Sequence, residues 1–146
     1  MINVGFRLRM TIVGLLLFSV SPAWANNPGG RYTIGTGTIL DTKTNLTWQQ
    51  PAPTGTYVWA DAKTYCSNLG AGWRLPTVKE LQTLVDYSTS TSPTIDSVFS
   101  GTAQAAFWAS TRMSGAFTDV WTVHFGAGST ISTPPTDFPS YVRCVR

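Results

Sequence analysis

Cys66-Ser67-Asn68-Leu69-Gly70-Ala71-Gly72-Trp73-Arg74-Leu75-Pro76-Thr77 is the stretch around which the chain is organised. The spacing predicts that it ends one helix, turns through two glycines and opens a second helix behind a proline. Upstream, Trp59, Ala62, Cys66 and Leu69 recur at three, four and three residues, which is one apolar helical stripe. Thr56 is the candidate cap for that helix, and Gly70 is its candidate stop, because glycine readily takes a positive φ after the last turn. Downstream, Thr77 followed by Glu80 makes a capping box. Val78, Leu81, Leu84 and Val85 then form an inner face that predicts a helix to about Tyr87.

The first residues have the character of an export leader. Arg7 and Arg9 precede an apolar run from Met10 to Val20, and Ala23-Trp24-Ala25 offers small residues where a signal peptidase reads. The run is shorter than the roughly 20 apolar residues a bilayer span requires. The expectation is a signal peptide over 1–25, cleaved after Ala25, and a secreted or periplasmic protein without a membrane span. The full chain of 146 residues carries 10 basic and 7 acidic side chains. Without Arg7 and Arg9 the balance falls to 8 against 7, and no run of Lys or Arg remains. That argues against a nucleic-acid partner, whose usual footprint is a basic patch.

An exported chain with two cysteines favours one disulfide over reactive thiols, so Cys66 and Cys144 are expected to be bonded. The bridge would close a long loop, worth about 4 kcal/mol on the chain-entropy argument.

Around the central stretch the remaining segments read as strands. Residues 26–36 are expected to be a lead-in, with a disordered start and a β-prone piece at Arg31–Ile34. Gly37–Leu40 and Leu46–Gln49 flank a turn-rich stretch and read as a hairpin with Leu46 and Trp48 inward. Ser88–Thr94 is a Ser- and Thr-rich loop, and Ala105–Thr111 reads as a strand buried on both faces. Asp119–Phe125 alternates, predicting Trp121, Val123 and Phe125 inside and Val120, Thr122 and His124 outside. Ser129–Thr133 and Tyr141–Arg146 read as further strands, the latter with Val142 and Cys144 on one face. Strands, two helices, then strands indicate an α+β fold.

Five pieces in order resemble a known family. They are Gly37–Gln49, Trp59–Ala62 with Cys66–Leu69, Trp73–Leu81, Phe107–Thr111 and Tyr141–Arg146. Together they span 37–146 and are similar to the bacterial domain family named after the C-terminal domain of the Legionella collagen-like protein. The motif residues within them are Trp48, Trp73, Arg74, Thr77, Glu80, Trp108 and Arg143. The resemblance implies a C-type lectin-like fold: two helices flanking a mostly antiparallel sheet, long loops, and a disulfide from a helix to the last strand. It also implies an adhesin-type role associated with sulfated polysaccharides. The calcium-site tripeptides of lectins with that fold (Glu-Pro-Asn or Gln-Pro-Asp, and Trp-Asn-Asp) do not occur here. With acidic residues scattered singly, no calcium site is expected. The Arg-Leu-Pro-Thr helix start is also similar to formylglycine-generating enzymes, which use paired cysteines. Here both cysteines fit the structural bridge.

The residues offer little for catalysis. His124 is the sole histidine and has no acidic or cysteine neighbour in the chain. No Gly-x-Ser-x-Gly context occurs, and no Cys/His cluster has zinc spacing. The expectation is a binding module with no catalytic residue, metal or cofactor, acting on a glycan or a surface protein through its loops. Arg112 at a loop start and His124 on the adjacent strand are the candidate anion-binding side chains, and Tyr141 the candidate ring for stacking on a sugar. Arg74 is read as structural, bonding a carboxylate or carbonyls near its helix. Trp48, Trp73, Trp108 and Trp121 are read as core. The competing reading is a structural envelope or assembly domain without a small ligand.

Overall fold

The computed structural model describes residues 29–115, 118–136 and 138–146; the expected leader lies outside them. In chain order the elements are β1 (Tyr32–Gly35), β2 (Thr38–Asp41), β3 (Leu46–Gln49), α1 (Trp59–Ser67), α2 (Val78–Gln82), β4 (Ala106–Arg112), β5 (Val120–His124) and β6 (Ser129–Thr133). Strands β1-β2-β3 form one antiparallel sheet and β4-β5-β6 another. The fold is therefore α+β with two sheets, where one sheet is expected from the sequence. β1 lies within the expected lead-in and pairs along its whole length with β2.

Two hydrophobic cores explain the burial pattern. Ile39, Trp48, Leu81, Phe99, Phe107, Val123, Phe125 and Val145 share one. Trp59, Ala62, Cys66, Leu75, Trp108, Val120, Val142 and Cys144 share the other. Successive β4 residues point to opposite faces, so Phe107 enters the first core and Trp108 the second. This is why β4 is buried on both sides. It also corrects the expectation for β5, because Val120 and Thr122 are fully buried beneath the second layer and Trp121 is only half-buried. Trp73 is likewise half-buried rather than core.

Non-local pairing resets both helix boundaries. Tyr57 exchanges backbone hydrogen bonds with Ser140 (2.9 and 3.0 Å), and its carbonyl also accepts from Trp108 Nε1. That holds Tyr57 and Val58 extended, so α1 starts at Trp59 behind Val58, with no side-chain cap and no part for Thr56. Leu69 falls beyond the helix and is exposed. Gly70 and Gly72 both carry a positive φ (125° and 82°), as the turn between the helices demands.

α2 has the expected capping box. Thr77 Oγ1 accepts from the Glu80 N–H, and the Glu80 carboxylate accepts from the Thr77 N–H. The helix stops at Gln82, well short of Tyr87, because Val85 bridges to Ile95 and the Asp86 N–H donates to Thr94 O.

The C-terminal residues are an extended connector, not a regular strand. Tyr141 exchanges backbone bonds with Ala106 and Trp108 on β4. Cys144 O accepts from Gln49, and Arg146 exchanges two bonds with Thr47 on β3. Val145 exchanges two more with Arg74. The Cys66–Cys144 disulfide, spanning 78 residues, ties this segment to α1.

Two stability tests follow from these contacts. Cys144→Ser should lower the unfolding free energy by about 4 kcal/mol in urea titrations. The Glu80 carboxyl is held at about 2, chiefly by the Arg74 guanidinium and, against the cost of burial, by the Thr77 N–H. A depressed folded-state value means the stabilisation is complete at neutral pH and fades as pH falls from about 5 towards 2. Glu80→Gln should therefore reduce the acid dependence of thermal unfolding over that window, and an unchanged slope would count against the ion pair.

Candidate functional site

α1 and the end of β4 build the most distinctive surface. Trp59 opens α1, and its Nε1 donates to Ala109 O at 2.8 Å, which fixes the indole against β4. One helical turn on, Lys63 comes from the same face and places Nζ 3.8 Å from the ring centroid. Arg112, the last residue of β4, brings its guanidinium to 4.6 Å from the same ring. Each contact is a cation–π pair. Among the described residues, the ion pairs are Arg31–Asp41 and Arg74–Glu80, so neither Lys63 nor Arg112 has a carboxylate partner. Two exposed like charges on one indole repel each other, and an anion between them would relieve that repulsion.

The other candidate residues lie elsewhere. Arg112 pairs with Val120 at one end of the β4–β5 ladder, whereas His124 pairs with Ala106 at the other. The structure does not bring them together. His124 is half-buried, and its Nδ1 accepts the Gly126 N–H at 3.1 Å. Tyr141 stacks on Phe107 (5.5 Å between centroids, 27° between planes) at the edge of the first core.

The motif residues hold the frame. Arg74 makes a bidentate pair with Glu80, 2.8 Å for each bond, and donates to Leu75 O. Arg146 lies over Trp73 at 5.0 Å. Arg143 is fully buried and donates to Gln49 O and Thr102 Oγ1, both at 2.7 Å, with its guanidinium over Phe99. Burial pulls its pKa down to about 10.

Sequence reasoning singled out Arg112 but missed Lys63, while its placing of Trp59 on the buried stripe of the helix holds. The Trp59–Lys63 spacing of four on a helix is the signal that could have paired them. It also missed Arg31, which makes a bidentate pair with the buried Asp41 (2.9 and 2.6 Å) and donates to Thr83 O. Burial alone would raise the Asp41 carboxyl, but Arg31 and the Lys43 N–H together hold it below its ordinary value.

A second concavity, about 500 Å³, lies in the loop between α2 and β4, among Asp86, Ser92, Asp96, Phe99 and Thr102. Its arms are closed at the base by the Val85–Ile95 bridge and fastened to the turn after β5 by Thr94 N–H to Phe125 O and Ser92 Oγ to Gly126 O. Among the described residues, no three His, Cys, Asp or Glu side chains converge as metal ligands, and no helix is long and apolar enough to cross a membrane.

A search of curated proteins gives no significant match. A scan against family profiles matches the Lcl C-terminal domain over residues 37–146, which takes in both helices, five of the six strands and the disulfide. The chain belongs to the Lcl C-terminal domain family.

Proposed function

We propose that this protein is a secreted or periplasmic binding module, not an enzyme, and that it takes an anionic glycan at the surface built on Trp59. The observation that carries this reading is the pair of cations, Lys63 and Arg112, held over one fixed indole without a carboxylate partner among the described residues. A sulfate or carboxylate of a polysaccharide pairs with the two exposed cations, while the buried Trp59 ring acts as the platform that holds them side by side. Export is supported by the leader-like start and by a disulfide, which persists in oxidising compartments. The bridge leaves no free thiol. A helix-to-C-terminus disulfide beside antiparallel sheets also supports reading the fold as C-type lectin-like. In this reading the site needs no cofactor, and the partner is a surface glycan or a glycosylated surface protein.

A glycan array at low salt, followed by titration of sulfated dextran, tests the proposal. Arg112→Ala and Lys63→Ala should each weaken binding by about tenfold, equivalent to about 1.4 kcal/mol. Binding by the unaltered protein should weaken as ionic strength rises. Unchanged affinity in the folded double variant would sink the proposal. An array silent throughout, with an envelope protein recovered by cross-linking, would favour an assembly domain instead.

A further inference from the structure

We propose that the cleft between residues 86–93 and 95–102 is a second ligand site, one that takes an uncharged sugar unit through its hydroxyl groups. The inference deepens the glycan reading above but rests on different residues and opposite electrostatics. Six hydroxyl side chains line the cleft: Thr89, Thr91, Ser92, Ser97, Ser100 and Thr102. Those of Thr91, Ser97 and Ser100 make no hydrogen bond among the described residues, so they face solvent with both donor and acceptor capacity. Asp86, which also lines the cleft, uses Oδ1 to accept from the Ser88 N–H and hydroxyl, and its second carboxylate oxygen makes no hydrogen bond among the described residues.

A pyranose presents this chemistry in reverse: adjacent hydroxyls that donate to a carboxylate and accept from side-chain hydroxyls, and a C–H face. Pro93, half-buried, supplies apolar surface for that face, with the buried Ile95 and Phe99 as the floor beneath it. About 500 Å³ lies within the range of small-ligand sites. No Lys or Arg lines the cleft, whereas Asp86 and Asp96 do, so the lining offers no cationic side chain to a sulfate or carboxylate and suits an uncharged sugar.

The walls are also held in place before any ligand arrives. The Asp96 carboxylate accepts the Val98 N–H and its carbonyl the Phe99 N–H, which sets the second arm. Arg143 stands behind that arm, donating to Thr102 Oγ1 and lying over Phe99. Thr102 in turn donates to Phe99 O. A rigid cleft lowers the ordering cost that a weak sugar ligand has to overcome.

The test is a titration of the isotope-labelled protein with maltotriose, cellotriose and acetylated chitotriose at millimolar concentration, followed by amide chemical shifts. At least one trisaccharide should shift resonances within residues 86–102, and raising the salt should leave the affinity unchanged. Asp86→Asn and, independently, the exposed Ser97→Ala should weaken that binding about tenfold, with the remaining resonances showing an intact fold. Arg112→Ala should not affect it. If none of the three sugars shifts the cleft, or if the shifts centre on Trp59, Lys63 and Arg112, the proposal is overturned. Sulfated-dextran binding that survives such a result would leave the anionic-glycan reading standing.

Discussion

The backbone of Ser140–Arg146 joins two three-stranded sheets that do not pair with each other. Buried peptide groups need partners, and this segment gives them to both sides: Tyr141 bonds to β4, while Cys144 and Arg146 bond to β3. Its side chains divide in the same way. Val142 and Cys144 complete the core under α1, and Val145 completes the core between the sheets. The disulfide adds a covalent hold on α1 at the point where the segment passes. Both surfaces considered for binding depend on this strap. The Trp59 indole rests on β4, and Thr102 in the cleft wall is bonded to Arg143 of the strap itself.

What the sequence made legible was what local spacing decides. The capping box at Thr77 and Glu80 spans three residues and needs no tertiary information. The cysteine pairing was expected from a leader-like start and a count of two, and the disulfide is present. Strands β2 and β3 flank a turn whose Asn45 takes a positive φ, a conformation asparagine tolerates.

The misreadings occurred where distant residues intervene. Thr56 has the chemistry of a cap, but Ser140 holds the next residue in an extended bridge and the helix begins later. Val120 and Thr122 alternate as though one face of β5 met water, yet a second core covers that face. The candidate site divides along the same line. Arg112 was visible as a loop-edge cation, whereas its partner indole is 53 positions earlier in the chain and meets it only through the docking of α1 on β4. Arg31 was set aside with the lead-in because its carboxylate partner lies across a hairpin.

The long reach of the strap has a kinetic meaning. Arg143 bonds to a carbonyl 94 positions away, and the Cys144 N–H to a side chain 95 away. Hairpins such as β1–β2 and β5–β6 form from neighbours, on the microsecond scale typical of such units. The strap must instead wait for a search whose entropic cost grows with loop length. The strap bonds beside the fully buried Trp48 and Trp108, so the contacts that close over these two indoles are among those with the longest loops to close.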